Sequence, residues 1–371
     1  MAKLLDGVRV VELGTMITGP FLGMLLAEQG ADVIKVENPD GGDPYRRHAA
    51  GFEAVNLGKR SVVLDLRTAE GREALLKLAR HSDVLVENFR PGVMDRLGLG
   101  GEALHGANPR LIWCSITGFG TDGPYVARPA YDTVIQSLSG FLSLLADPDK
   151  PCVPGPPIAD GLTGMYACQG ILAALYDRER SGKGRRIEVN MLEALIHFAN
   201  DAYSGYFRTG VVPGHDTRSH ASQSYAFECA DGKMFGIHLS NPEKFWQGLL
   251  ATTGRQDLAA DPRFATYPAR TKNHAALHEA LASVFRSQPR AHWLPLLEAN
   301  EVPFAPIYRT DEVVQDPQVR HLGTFFDFVR GDGSAVKASR TAIRVDGQRP
   351  EPPVPPPTLG ADTEAVLRKL D

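Results

Sequence analysis

Cysteine is scarce in this chain of 371 residues. There are four, Cys114, Cys152, Cys168 and Cys229, and no two form a C-x-x-C pair. That spacing suits neither a zinc site nor a disulfide framework, and it fits a reducing cytoplasm. Eleven histidines are scattered through the chain without the H-E-x-x-H spacing of a metal helix, so no metal is expected. An excess of one charge is also missing: 40 Lys and Arg against 44 Asp and Glu leave a net charge of −4. This argues against a nucleic-acid binder but leaves room for local basic pockets. No apolar run approaches the length that spans a bilayer, and the opening Met-Ala-Lys-Leu-Leu-Asp is not a signal peptide, so no membrane partner is expected. Internal repeats, a P-loop and a G-x-S-x-G elbow are absent as well.

What is present is the composition of a globular enzyme, 43% hydrophobic and 23% charged, at a length that favours two domains. Val8–Leu13, Asp32–Glu37, Ser61–Leu66, Asp83–Glu87, Leu111–Ser115 and Arg185–Asn190 read as strands, with helical periodicity between them, as at Thr68–Arg80. Strands alternating with helices predict an α/β fold with a parallel sheet covered on both faces. The texture changes near Ser222, where Tyr225–Glu228 and Lys233–His238 flank an Ala-Asp-Gly turn and helical segments follow. The expected organisation is a large domain over 1–205, a linker over 206–221, a small α+β domain over 222–310, and a return segment over 311–371. The return segment carries a proline-rich connector (Pro350 to Pro357) and a last helix, Asp362–Leu370. Such a connector is extended and suited to lying along another surface, a partner subunit's included.

The first βαβ unit invites a dinucleotide reading, with Glu37 where a ribose-binding acid would sit. Gly14, Gly19 and Gly23, however, give G-x4-G-x3-G and not the tight G-x-G-x-x-G turn, so neither NAD nor flavin is expected. Basic residues, Arg46, Arg47, Lys59, Arg60, Arg90 and Arg96, fall in segments read as loops after strands. Each alone is an ordinary solvated charge; together they suit a phosphate-bearing ligand at the carboxyl ends of a parallel sheet. Phe89 and Arg90 offer a planar surface to a base. The glycine-rich Thr117–Tyr125 is a candidate active-site loop, followed by Tyr131 and Asp132 at a helix start. His197 reads as a core residue of an apolar helix.

Asp160 is the most informative single residue. It stands between the proline-rich Pro154-Gly-Pro-Pro157 and an apolar periodic run (Met165, Cys168, Ile171, Leu172, Leu175) that reads as a buried helix. One reading makes it an N-cap. The other makes it a nucleophilic carboxylate, open to substrate because Ala159 and Gly161 are small and kept ionised by the helix dipole.

Taken in order, several segments resemble the class III (formyl-CoA transferase-like) CoA-transferase family, which also contains the α-methylacyl-CoA racemases. They are Leu5–Leu13, Gly30–Glu37, Leu57–Ser61, Asp83–Gly92, Asn108–Ile112, Gly118–Gly120, Ala159-Asp160, Gly182–Arg186 and Asp261–Phe264. The resemblance implies a Rossmann-like large domain, a small domain and an interlocked homodimer. It implies acyl-CoA and carboxylic acid substrates, with coenzyme A as the carrier, and makes Asp160 the catalytic carboxylate. CoA is then expected along Lys59-Arg60 and Asn88–Arg90. The expected chemistry runs through an acyl-aspartyl anhydride and an aspartyl-CoA thioester, with oxyanion donors from the Gly161 helix start or near Ile17 and Thr18.

The alternative is α-racemisation, which needs two acid/base groups on opposite faces. The racemase branch carries a histidine where this chain has Tyr131, and a glutamate near Ser240-Asn241, where the nearest acid here is Glu243. Both departures favour acyl transfer. Formate and oxalate transferases carry glutamine at the position of Ile17 and glycines near Leu239–Asn241, so that specificity is not expected. A dicarboxylate acceptor, with succinyl-CoA as candidate donor, is the expectation, and His215, Arg218 and His220 are the candidates for holding its distal carboxylate.

Overall fold

The computed structural model describes residues 3–240, 242–330 and 333–370. The chain divides into two compact units. One takes the chain up to Leu142, Pro151–Ser204 and Thr324 onward; the other takes Ser143–Lys150 and Gly205–Gly323.

The first unit is built on six parallel strands: β1 (Arg9–Glu12), β2 (Asp32–Glu37), β3 (Lys59–Val63), β4 (Val84–Glu87), β5 (Ile112–Thr117) and β6 (Arg186–Asn190). They lie in the order β3-β2-β1-β4-β5-β6. β-Branched residues dominate these strands because helices bury both faces. On one face, Leu22 and Leu26 of α1 (Thr18–Glu28) and Ala167, Cys168, Ile171 and Ala174 of a long helix pack on Val10, Val33, Val84 and Ile112. On the other, Leu75, Leu78 and Ala79 of the helix Ala69–Arg80 pack on Val11, Ile34, Val62 and Leu85. This is the doubly wound order, and its direction reverses between β1 and β4, which leaves a crevice at their carboxyl ends.

Strand β3 starts two residues before the span read from sequence, so Lys59 and Arg60 belong to the strand and do not follow one. The reason is burial. Lys59, Lys35, Glu12 and Asp43 form a quartet whose side chains have no exposure to solvent. Lys35 Nζ lies 2.9 Å from both Glu12 and Asp43 and donates to the Gly14 carbonyl at 2.7 Å. Lys59 Nζ lies 2.7 Å from Glu12 and donates to the Pro20 carbonyl and to Asn56 Oδ1. Burial lowers the Lys59 ammonium to about 8 against the pull of Glu12. Burial would lower Lys35 too, but Glu12 and Asp43 outweigh it and hold Lys35 above its ordinary value. The glycine spacing belongs to the same packing. A Cβ on Gly23 would fall 1.9 Å from Glu12 Oε2, and Gly14 and Gly19 approach so closely that a Cβ on either would lie 2.9 Å from the other's Cα.

The proline-rich connector lies along its own unit. Gly58 N donates to the Val354 carbonyl and Arg46 Nη1 to the Pro357 carbonyl. Beyond it, Asp362 and Thr363 accept from Ser61 N and Val63 N, covering the free edge of β3. A hairpin missed from sequence, Phe325–Val329 with Ala335–Ser339, sets Phe326 and Phe328 against Met24 and Leu57.

The second unit packs helices, among them Glu243–Thr253, His274–Phe285 and Arg290–Ala299, on three antiparallel strands in the order β7 (Ser224–Glu228), β8 (Met234–His238), β9 (Phe304–Ile307). Its core holds Phe227, Phe235, Trp246, Phe285 and Trp293. The unit runs past residue 310, where the sequence reading ended it: Arg290, one of its buried residues, pairs with Glu312 at 3.2 Å.

A stability contrast tests the quartet. Removing one partner from a buried ion cluster leaves an uncompensated charge and typically costs about 3–5 kcal/mol, whereas an exposed pair is worth about 1 kcal/mol or less. Glu12→Ala is expected to lose stability in the first range in urea unfolding. Arg60→Ala, whose pair with Asp32 is partly exposed, is expected to lose it in the second.

Candidate active site

The crevice at the carboxyl ends of β1, β4 and β5 opens into a cavity of about 600 Å³. Its walls are Thr15–Thr18 after β1, Asn88–Pro91 after β4, Thr117–Gly120 after β5, the loop Val126–Thr133 with its neighbours, and the residues that open a long helix. The loop leads into α2 (Asp132–Leu138), and the long helix is α3 (Ile158–Ser181).

The loop after β1 is tied down from two sides. Asn88 accepts from Thr15 N and donates to the Thr15 carbonyl, both at 2.9 Å, so both ends of its amide are held by backbone. Asp43, from the buried quartet, accepts from Met16 N at 3.0 Å. Met16 sits at φ 65°, a left-handed conformation that is strained for a residue with a long side chain. The turn delivers Ile17 and Thr18 to the start of α1. The backbone N–H groups of Ile17, Thr18 and Gly19 have no hydrogen-bond acceptor among the described residues.

Asp160 reaches the same point from the other side. Helix α3 crosses α1 at Gly164, where a Cβ would come within 3.0 Å of the Phe21 ring and 3.1 Å of the Thr18 carbonyl. The Thr18 hydroxyl donates directly to Asp160 Oδ1. Asp160 is not the N-cap that one sequence reading made it. It is the third residue of α3, and the cap position is Pro157. The capping acceptor is Asp132: its Oδ1 accepts from Ala159 N at 2.8 Å and Asp160 N at 3.2 Å, and its Oδ2 accepts from Gln136 Nε2 at 2.5 Å. Gly161 N is taken by the Pro157 carbonyl. Burial, with the Asp132 charge in support and the Thr18 hydroxyl in opposition, pushes the Asp160 carboxyl up to about 6. The helix dipole expected to hold it down is outweighed.

Of the residues singled out in the sequence, the cavity brings together Ile17, Thr18, Asn88, Phe89, Arg90, Tyr131, Asp132 and Asp160. Tyr131 is 69% exposed. Lys59 is consumed by the quartet, Arg60 pairs with Asp32 at the opposite ends of the strands, and Arg96 is an exposed residue of the one-turn helix Val93–Arg96 outside the cavity wall. His215, Arg218 and His220 belong to the second unit, as does Glu243, which pairs with Arg270; Asn241 lies outside the described residues. His197 is exposed and bonded to the Tyr166 hydroxyl, not a core residue. Sequence reasoning passed over Arg128 as a site residue, although it noted the loop; its guanidinium stacks on Tyr125 at 3.8 Å and joins Arg90 as the second cation in the cavity wall.

All four cysteines are free thiols, and no cluster of metal-ligating side chains occurs among the described residues. Helix α3 corrects one further expectation. It has 24 residues, and an 18-residue stretch of it has a mean hydropathy of 1.2, so by length and composition it is long and apolar enough to cross a bilayer. Its small and apolar residues answer to packing on α1 and the sheet.

The chain belongs to CoA-transferase family III, whose sequence profile matches residues 5–363. It is 35% identical to a succinate–glutarate CoA-transferase of Agrobacterium fabrum, over 99% of this chain and 96% of that one. It is 39% identical to an acetyl-CoA:oxalate CoA-transferase of Acetobacter aceti, over 84% and 83%. A crystal structure of a CaiB/BaiF family protein from Brucella suis superposes with a TM-score of 0.89 at 37% identity, covering 99% of both chains. The chain is an enzyme of this transferase family, as its resemblance implied.

The raised Asp160 carboxyl carries a stability consequence. A carboxyl whose folded pKa lies above its unfolded value destabilises the fold once ionised; the penalty is absent below about pH 4 and complete above about pH 6. Asp160→Asn escapes it. The stability of the variant relative to wild type is expected to rise between pH 4 and 6 by on the order of 1 kcal/mol, allowing for solvent screening at a half-buried site. Thermal melts across that range check it.

Proposed function

We propose that the enzyme moves CoA from an acyl-CoA donor to a carboxylic acid acceptor through covalent intermediates on Asp160. The observation that carries this reading is the isolation of Asp160. Among the described residues it is the one carboxylate of the cavity wall without backbone N–H partners, and no histidine or glutamate lines the cavity. A carboxylate raised to about 6 is more basic than an ordinary aspartate yet largely ionised at neutral pH, which suits a nucleophile attacking a thioester.

The steps follow from that chemistry. An Asp160 oxygen attacks the donor thioester carbonyl, the C–S bond breaks, and an acyl-aspartyl anhydride and CoA thiolate result. The thiolate attacks the aspartyl carbonyl, expelling the donor acid and leaving an aspartyl-CoA thioester. The acceptor carboxylate attacks that thioester, releasing thiolate and forming a second anhydride. The thiolate then attacks the acceptor's acyl carbonyl, which yields acceptor acyl-CoA and returns Asp160 as a carboxylate. The unspent N–H groups of Ile17, Thr18 and Gly19 are suited to the oxyanions. Arg90 and Arg128 suit the anionic portions of CoA, and Phe89 its base.

Racemisation has less support, since among the described residues of the cavity wall neither the histidine nor the glutamate of the racemase branch has a counterpart. A dicarboxylate acceptor with succinyl-CoA as donor is supported by relatives named for succinate and glutarate. The interlocked homodimer belongs to the same reading. Met165, Tyr176 and Phe198, exposed by 56, 69 and 54%, are apolar side chains that a second copy would cover.

With succinyl-CoA as donor and a panel of carboxylic acids as acceptors, wild type is expected to transfer CoA with an acid limb near pH 6. Hydroxylamine trapping is expected to modify Asp160 in the mass spectrum, and Asp160→Ala to lose about 10³-fold or more of the rate. Undiminished transfer by that variant would sink the reading. Solvent deuterium entering the α-position of a 2-methylacyl-CoA without any acceptor would favour the racemase instead. Small-angle scattering is expected to report a dimer.

A further inference from the structure

The sequence reading placed Asp132 among the substrate-binding groups. Its carboxylate is already committed elsewhere: one oxygen takes both Ala159 N and Asp160 N, and the other takes the Gln136 amide. A helix start with free N–H groups is an anion site. At α3 that site is filled by the protein's own carboxylate, while the first N–H groups of α1, across the Thr18–Asp160 contact, are left without acceptors.

We infer that Asp132 is a positioning residue that occupies the N-terminus of α3 so that Asp160 keeps its basicity and oxyanion stabilisation falls to the α1 turn. Were the α3 amides free, two donors and the positive end of a long helix would bear on Asp160 and on any anion beside it. That would stabilise the resting carboxylate along with the transition state, and so blunt its attack. With a capping carboxylate in place, the donors are spent and a like charge stands next to the nucleophile. Few titratable or charged groups share the cavity wall with Asp160. They are Asp132 and Tyr131 from α2 and the residue before it, and Arg128 and Arg90 from the loops before α2 and after β4, while α1 contributes the Thr18 hydroxyl. Burial raises Asp160 most, and the Asp132 charge adds to it.

This inference rests on Asp160 as the nucleophile, and its test separates the two. The full-length protein carrying carboxyl-labelled aspartate is titrated by NMR, the Asp160 signal being identified by its disappearance in Asp160→Asn. Asp132→Asn keeps an acceptor for the α3 amides, and its new NH₂ can meet Gln136 Oε1, a buried oxygen with no hydrogen-bond partner in the wild type. Its Asp160 midpoint is expected to fall by roughly 0.5–1 pH unit, with CoA binding retained and the acid limb of succinyl-CoA transfer moving by the same amount. Asp132→Ser, which also supplies a capping oxygen without charge, is expected to behave alike and guards against misfolding of the first variant. An unmoved midpoint in both variants overturns the inference, because a purely structural cap would change melting temperature and not titration. Loss of CoA binding in both also overturns it, by making Asp132 a ligand group. Transfer that survives Asp160→Asn overturns the nucleophile reading instead, whatever the midpoints show.

Discussion

The buried quartet of Glu12, Lys35, Asp43 and Lys59 is the constraint on which the site depends. Two cations and two carboxylates lie out of water, so their desolvation must be met by mutual attraction and by backbone carbonyls. The carbonyls used are those of Gly14 and Pro20, which bracket the turn after β1, and Asp43 Oδ1 accepts from Met16 N as well as from Tyr45 N. The charges therefore hold a strained turn from beneath, and Asn88 holds it from the side. A left-handed methionine persists where its surroundings over-determine it, and this turn is fixed at Gly14, Thr15, Met16 and Pro20. Thr18, two residues past the strained position, is thereby fixed relative to Asp160.

Two opposing effects act on Asp160, and their balance shapes its chemistry. A helix N-terminus favours a carboxylate by up to about 1–2 kcal/mol when partly buried. Burial works the other way, and capping by Asp132 both spends the amides and adds repulsion. The result is a carboxylate neither locked in its anionic form nor protonated at neutral pH. The proposed anhydride chemistry needs that middle ground, because a strongly stabilised carboxylate attacks poorly and a protonated one does not attack.

The sheet was legible because its strands are short apolar runs spaced by helical periodicity, and Val10, Ile34, Val62, Val84 and Ile112 are buried as such runs require. Asp160 was legible as special from its small neighbours and proline-rich entry. Its partners were not, since Asp132 caps a helix from 27 or 28 positions upstream and no local pattern encodes that. Lys59 was misread for a similar reason. A lysine in a Gly-Lys-Arg turn looks solvated, and only the convergence of Glu12, Pro20 and Asn56 from separate segments buries it. Strand β9 escaped notice because it is short and contains Pro306, which weakens any strand signal.

The glycine pattern after β1 sets this doubly wound sheet apart from a dinucleotide-binding one. In the nucleotide-binding version of this topology, glycines let a pyrophosphate approach the first helix. Here Gly14 and Gly19 make room for each other, and Gly23 makes room for the Glu12 carboxylate. The close approach beneath the turn is thus consumed by the protein's own anion, neutralised by two lysines. The outer side of the turn stays open, where Ile17 and Thr18 line the cavity and the first amides of α1 are unspent. The topology keeps the switch-point crevice and the helix start, while the glycine spacing gives the space beneath the turn to the protein's own carboxylate.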